Sequence, residues 1–299
     1  MVEAYGVAPP RYRLPAGLRL GRVRLQVSDL ARSLDYYQQV LGLRVTDSAA
    51  TGATLAAATG ETLVELVEKK GARHVPRTGL LGLYHFAILL PDRAALGRLL
   101  GHLGGMGARP GMSDHLVSEA IYLQDPDNLG IEVYADRPRD TWQPAMGQLR
   151  MASEPLDVGS VLAAAVGRPW DGMPAGTQMG HLHLHVGDIE QGAAFYHEQL
   201  GLDKIVWSYP GALFLSAGGY HHHLGTNTWA RGAPSASDDD ARLLDWEILL
   251  PTADDVALAG ESLGASVVSR ERDMLLARDP WGTAVQVRAE RRAATTAER

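Results

Sequence analysis

Two stretches of this chain repeat one another at a fixed distance, and no other feature limits the fold as much. Arg22-Val-Arg-Leu-Gln-Val-Ser-Asp29 matches His181-Leu-His-Leu-His-Val-Gly-Asp188 with a constant offset of 159 residues. Each alternates over a strand length and then meets an Asp suited to cap a helix. The helices predicted next carry a Tyr at matching positions, Tyr37 and Tyr196, and both end in Leu-Gly-Leu, at 41–43 and 200–202. Gly there stops a helix and lets a new strand begin. A second pair lies inside the halves: His85-Phe-Ala-Ile-Leu-Leu-Pro91 resembles Asp245-Trp-Glu-Ile-Leu-Leu-Pro251. Each leads into an Ala/Leu-rich helix, at 93–103 and 253–263, and then into a strand, an Asp-Pro turn and a strand. In those turns Pro126 and Pro280 fix φ, and Gly130 and Gly282 are expected in the left-handed position.

The sequence thus reads as four strand–helix–strand–strand–strand modules at about 20–70, 83–136, 180–229 and 244–288. The expected organisation is an N-terminal half (1–140) with two modules, a linker (141–179) rich in Pro and Gly, and a C-terminal half (180–299) with two more. The Ser/Pro/Asp-rich run 231–240 is expected as an exposed loop and 290–299 as a frayed charged tail.

Composition removes several functions. The chain has no cysteine, which excludes disulfides, thiolate nucleophiles and Cys-based zinc or iron–sulfur sites. Its formal charge of −7 is spread along the sequence, so it offers no basic block for nucleic acid or an anionic membrane. The first twenty residues lack the apolar core of a signal peptide, and no apolar run is long enough to span a bilayer. A cytoplasmic protein is expected.

A chain rich in His and Glu but free of Cys suits a metal held by nitrogen and oxygen. Two His and one carboxylate on one face leave open positions, as in non-haem Fe(II) oxygenases. Glu132 lies between Ile131 and Val133, where an ionised carboxylate needs a partner, and a cation is the natural one. His181, His183 and His185 share one strand face by the period of two, which points to a polar site. His85 opens an apolar strand and, taken alone, fits a satisfied core histidine equally well. His74, His102 and His197 read as surface loop or helix residues without a role.

Four βαβββ modules, helices ending Tyr…Leu-Gly-Leu, and an Asp-Pro turn before a Glu-bearing last strand resemble the vicinal-oxygen-chelate superfamily over nearly the whole chain. Ser113-Asp-His-Leu-Val-Ser-Glu-Ala120 and Gly218-Gly-Tyr-His-His-His-Leu-Gly225 are similar to its four-module catechol 2,3-dioxygenases. The resemblance implies an α+β fold in which the modules form two paired, incompletely closed mixed β-barrels. It places metal ligands at the start of a module's first strand and in the middle of its last. The corresponding first-strand positions are Arg22, His85, His181 and Asp245, and the last-strand positions lie near Glu65, Glu132, His222 and Gln286. Arg22 cannot ligate a cation and Gln286 is a weak ligand. His85, Glu132 and His181 are therefore the expected ligands, which requires modules two and three to pair around the site and one and four to pair as scaffold.

The same resemblance assigns Tyr122 as a substrate-contacting tyrosine and His115 as a histidine bonded to it or to substrate. It places an acid–base histidine among His221, His222 and His223; strand alternation separates His222 from the other two, and His222 is the choice. Phe214, Tyr220 and Trp229 fit an aromatic pocket or the core equally. The implied activity is extradiol cleavage of a catechol-type aromatic by O2, with Fe(II), or Mn(II), as cofactor and a homo-oligomer as the assembly. Two alternatives stand beside it: a glyoxalase-like isomerase or lyase, which brings four protein ligands to Ni(II) or Zn(II), and a non-catalytic resistance protein that sequesters an aromatic compound.

Overall fold

The computed structural model describes residues 5–58, 60–165 and 167–290, so the charged tail predicted at 290–299 lies, past Glu290, outside the described residues. Module one contains β1 (Arg19–Val27), α1 (Leu30–Gln39), β2 (Arg44–Ala49), β3 (Gly52–Ala56) and β4 (Thr62–Glu68). Module two contains β5 (Gly82–Leu89), α2 (Arg93–Gly105), β6 (Gly111–Asp114), β7 (Ser118–Gln124) and β8 (Gly130–Asp136). A short hairpin, β9 (Pro144–Ala145) and β10 (Gln148–Leu149), and α3 (Val158–Ala164) follow. Module three runs β11 (Gln178–His185), α4 (Ile189–Ala193) continued as a wider turn over Ala194–Gln199, β12 (Asp203–Val206), β13 (Ala212–Ser216) and β14 (Leu224–Asn227). Module four runs β15 (Arg242–Leu250), α5 (Ala253–Leu263), β16 (Val267–Arg270), β17 (Met274–Arg278) and β18 (Ala284–Ala289).

The local signals read in the sequence have physical counterparts. Asp29, Asp92 and Asp188 each accept a hydrogen bond from the backbone N–H three residues on, at 3.0, 2.7 and 2.9 Å. Thr252 and Asp255 cap α5 reciprocally. Such caps contribute about 1 kcal/mol each. Gly42 (φ +70°) and Gly201 (φ +96°) take the left-handed conformation where the first and third modules' helices stop. One turn differs from expectation. Gly282 is left-handed as predicted, but in the equivalent turn that place belongs to Asn128 (φ 67°). Gly130 begins β8 instead, because a Cβ there would lie 2.0 Å from the Tyr84 carbonyl oxygen.

The modules assemble into two eight-stranded mixed sheets. One has the order β16-β17-β18-β15-β1-β4-β3-β2, joining modules four and one; the other is β12-β13-β14-β11-β5-β8-β7-β6, joining modules three and two. The seam of the second is the antiparallel pair β5–β11, with His85 opposite His183. Modules two and three therefore share a sheet, as the ligand chemistry required, and the fold is the α+β arrangement expected.

Alternation along the seam strands separates core from site. Phe86, Ile88, Leu182 and Leu184 point into the main core, which both sheets line, and are fully buried. Each contributes about 1.5–3 kcal/mol by leaving water. Their neighbours His85, His181, His183 and His185 occupy the other face of the same two strands. The sheets are also tied through buried polar pairs that the matched Tyr and Asp-Pro positions foreshadowed. Tyr37 donates to Asp125 at 3.3 Å, and Tyr196 donates to Asp279 at 2.9 Å. His197 departs from the surface role predicted for it. It is buried in the wider turn after α4, where Nδ1–H donates to the Leu202 carbonyl at 2.7 Å.

Candidate metal centre

Register explains which residues meet. In every module the first-strand position lies seven residues before the helix cap: Arg22, His85, His181 and Asp245 precede Asp29, Asp92, Asp188 and Thr252. The parallel partner of the residue two further along identifies the last-strand position. It is Glu65 opposite Arg24, Glu132 opposite Ala87, Gly225 opposite His183, and Gln286 opposite Glu247. Module three thus corrects the sequence reading. Its matching residue is Gly225 rather than His222, and His221 to His223 lie in the turn before β14, where strand alternation does not operate. Glycine is required at 225 by space, since a Cβ would sit 2.9–3.1 Å from Cγ, Cδ2 and Nδ1 of His183.

His85, Glu132 and His181 are brought together as expected. Their nearest ligand atoms all lie within 4.8 Å of one another, and all three side chains are buried. His85 Nε2 is 3.0 Å and His181 Nε2 3.2 Å from the same oxygen, Glu132 Oε2. The His85 contact lacks hydrogen-bond geometry, leaving a buried Nε2 aimed at the cluster without a partner. Burial raises the Glu132 pKa, but His181 and His85 beside it outweigh burial and hold it well below the usual carboxylate range. Burial brings His181 down to about 4 despite Glu132. An ionised carboxylate and a neutral imidazole are the states a divalent cation needs, so the group fits a metal. One usual feature is missing: His181 Nδ1 is buried without a partner, where a metal-bound imidazole commonly donates that N–H.

The equivalent place between modules one and four holds an internal cation instead. The Arg22 guanidinium contacts Asp245 at 2.7 Å, Glu65 at 2.9 Å and Glu247 at 3.6 Å. Arg24 also reaches Glu65 at 2.9 Å and Arg288 reaches Glu247 at 3.4 Å, so three guanidiniums offset three carboxylates where a metal would otherwise balance them.

Beside the His–Glu–His group lies a cavity of about 210 Å³ lined by Tyr84, Tyr122, Phe214, His222 and Trp229 among others. Of the aromatic candidates, Phe214 and Trp229 line it, whereas Tyr220 hydrogen-bonds Asp136 at 3.2 Å and Tyr134 at 2.7 Å. Tyr122 pairs with Glu132 across β7 and β8, and its hydroxyl is 2.5 Å from His115 Nε2. His115 Nδ1 is 2.7 Å from the Ala152 carbonyl, which can only accept. The ring proton therefore sits on Nδ1 of a neutral His115, and Nε2 accepts from Tyr122. Burial, with Glu132 nearby, pushes the Tyr122 hydroxyl well above its ordinary pKa, so it stays a donor.

His221 Nε2 is 2.9 Å from Asp136 Oδ1 and donates to it. His221 Nδ1 is 2.7 Å from His222 Nδ1, and one of these two nitrogens donates to the other. His222 lines the cavity, and burial together with His181 and His221 lowers its pKa well below normal. His223 is turned away onto Ser216 at 2.9 Å.

Sequence reasoning missed the cover. Residues 150–154, read as linker, lie along β6, where Asp114 and Glu154 exchange backbone hydrogen bonds at 2.9 Å. This places Met151, Ala152 and Ser153 in the cavity wall. Nothing in their composition signals the role, which depends on a chain crossing that only the folded sheet defines.

Comparison with known proteins agrees with this architecture. The family described as Glyoxalase/Bleomycin resistance protein/Dioxygenase superfamily matches residues 19–133. A protein of Bacillus subtilis (strain 168) named catechol-2,3-dioxygenase is 41% identical over 268 residues, covering 87% of this chain and 93% of its own. Among solved structures, the cppA protein of Streptococcus pneumoniae superposes with a TM-score of 0.54 at 11% identity, covering 91% of this chain and 100% of that one. Glyoxalase I of Zea mays does so with a TM-score of 0.52 at 19% identity over 91% and 92%. At these identities the two structures speak to the fold alone. Among the described residues no helix is long and apolar enough to cross a membrane.

Proposed function

The chain belongs to the glyoxalase/bleomycin resistance protein/dioxygenase superfamily, and on that footing we propose that it is an extradiol dioxygenase. In this reading it cleaves a catechol-type aromatic with O2 at an Fe(II), or Mn(II), centre held by His85, Glu132 and His181. The carrying observation is Gly225. The symmetry of the paired modules offers four ligand positions, three are filled by His85, Glu132 and His181, and the fourth is a glycine. An isomerase of the glyoxalase kind needs a fourth protein ligand, whereas an oxygenase needs open positions. The curated relative named catechol-2,3-dioxygenase supports the same choice.

A bound Fe(II) would supply the open coordination positions and the redox chemistry through which a diol and O2 react. The chain's own residues do the rest. His222 Nε2 accepts a proton from the incoming diol hydroxyl and returns it as the ring opens. Tyr122, whose hydroxyl proton goes to His115, accepts a hydrogen bond from a diol hydroxyl and keeps it oriented. Phe214, Trp229 and Met151 enclose the ring, and Ala152 and Ser153 beside it help exclude water.

The test is to load the protein anaerobically with Fe(II), add catechol, admit air and follow O2 uptake with the yellow ring-opened product. His85→Ala, Glu132→Ala and His181→Ala should each lose bound metal and product together. A metal-loaded wild type that consumes no O2 with catechol or its common substituted forms would overturn the reading. Activity surviving His181→Ala would overturn the ligand set.

A further inference from the structure

The cavity beside the metal centre adjoins a larger groove of about 700 Å³ that the scheme above leaves unused. Tyr84, His85, Tyr122 and Trp229 line both spaces, which meet at these side chains. Tyr84 and Trp229 are 39% and 49% exposed, so the junction is within reach of solvent. Arg77 and Arg109 line the groove as well, both exposed, and no Asp or Glu does. In a chain with a formal charge of −7, such a lining runs against the composition.

The fold fixes the backbone beneath both arginines. Arg77 lies in a turn closed by the Gly79 N–H, which donates to the Pro76 carbonyl at 2.9 Å. The Asn128 side chain donates to the Val75 carbonyl at 2.7 Å and ties this turn to the loop before β8. Gly79 itself packs on His185, whose Nε2 lies 3.0 Å from where a Cβ would be. Arg109 stands two residues, about 7 Å of extended chain, before Gly111, the partner of Tyr122 across β6 and β7. Neither guanidinium has a carboxylate partner among the described residues. Arg73, four residues before Arg77, is by contrast taken by Asp240 at 2.8 Å.

Size and charge say what would use the pair. At about 210 Å³ the inner cavity is smaller than the roughly 300–1,000 Å³ typical of ligand pockets, so it holds a single ring and little more. A divalent metal beside the Glu132 carboxylate leaves one positive charge at the centre, which an ionised diol takes up. A second negative charge on the substrate must find its counter-charge elsewhere. Arginine suits a carboxylate, which its planar fork of donors matches in shape.

We propose that the groove is a subsite for an acidic side chain on the diol. The preferred substrate is then a single-ring catechol whose flexible chain leaves the cavity beside Tyr84 and Trp229 and carries a carboxylate to Arg77 and Arg109. This rests on the diol-cleaving reading and gives that site its substrate class.

The experiment measures anaerobic binding by calorimetry to the metal-loaded protein and then admits O2. It compares dihydroxyphenylacetate and dihydroxyphenylpropionate with their amides, with the chain at the 3- or the 4-position. Wild type should bind the acid of at least one pair about three- to tenfold more tightly at low salt, the range of ion pairs open to water. That ratio should shrink in about 0.5 M NaCl, where exposed charges are screened. Arg77→Gln and Arg109→Gln should each lower it, and the double variant should abolish it. Metal content and circular dichroism establish that each variant is folded. An acid-to-amide ratio within twofold for every pair, or one unchanged in the double variant, overturns the subsite even if the ring is opened. Acid-selective binding that the double variant abolishes, with no O2 uptake in air, upholds the subsite and overturns the dioxygenase reading. If no diol binds, both fall.

Discussion

Gly225→Ala tests the geometry of the site independently of any reaction. The added methyl would sit 2.9, 3.0 and 3.1 Å from Cγ, Cδ2 and Nδ1 of His183, inside the roughly 3.5–4.0 Å of a comfortable carbon contact. The ring cannot swing freely, because Trp229, Phe214, Tyr84 and His85 surround it. Overpacking of this kind costs about 1–3 kcal/mol. Replacing Gly also restricts the unfolded chain, which offsets about 0.4–1 kcal/mol, and φ at 225 is not left-handed, so no backbone strain is added. The net expectation is a destabilisation of about 1–2 kcal/mol. In a His183→Ala background the obstructing ring is gone, and the same substitution should be neutral or stabilising. The coupling between the two positions is therefore about 1–3 kcal/mol, well above the few tenths seen for independent sites. Urea denaturation of wild type, both single variants and the double variant measures it, at one fixed metal concentration because bound metal shifts apparent stability. A coupling below about 0.5 kcal/mol would show that Gly225 does not make room for His183, and would remove the reason offered for the missing fourth ligand.

Three other expectations follow from the same structure. Tyr122→Phe should retain metal while kcat/KM falls about three- to tenfold, the loss of one hydrogen bond from a diol hydroxyl; unchanged kinetics would remove Tyr122 from the site. Burial raises the Asp125 carboxyl from its ordinary value to about 7, with Asp127 adding to the effect. The folded state then binds that proton more tightly than the unfolded chain does, so this group's contribution to stability grows as pH falls from about 7 toward 4 and is lost as pH rises through 7. Its slope is at most about 1.4 kcal/mol per pH unit. Asp125→Asn should flatten that part of the profile in denaturation experiments from pH 4 to 8, and an identical profile would contradict the assignment. Arg22→Met leaves Arg24 beside Glu65 and Asp245 and Arg288 beside Glu247, so it should cost about 1–2 kcal/mol, and millimolar Ca(II) should recover part of it. Metal content at His85, Glu132 and His181 should not change.

Much of this was readable in the sequence because it depends on local rules. The period of two assigned His181, His183 and His185 to one face, and the folded strand has the Leu residues between them in the core. The caps at Asp29, Asp92 and Asp188 needed only three residues of context. What failed to read depends on contacts distant along the chain. Gly225 and His222 are three residues apart, and only the pairing of β14 with β11 shows which one matches Glu132. Asn128 took the left-handed turn position because Gly130 was needed where β8 passes close to Tyr84. The placement of His222 depends on His221, which is held by Asp136, 85 residues earlier in the chain. Met151, Ala152 and Ser153 line the cavity only because their segment runs along a sheet assembled from both halves.

The pairing of β1 with β15 and of β5 with β11 also imposes an order on the making of the molecule. When only the first half of the chain has emerged, β1 and β5 both present bare edges, and their native partners have not yet been synthesised. Because the modules repeat, those two edges are alike, and the nearest strand each can find is the other. A newborn chain must therefore avoid a pairing that is close at hand and wait for one that lies 89 or more residues further on. It must do so without help from the metal: the first half carries His85 and Glu132, but the third ligand arrives with β11. Occupancy of the centre is in this sense a receipt for the joining of modules two and three, obtainable only after β5 and β11 have met.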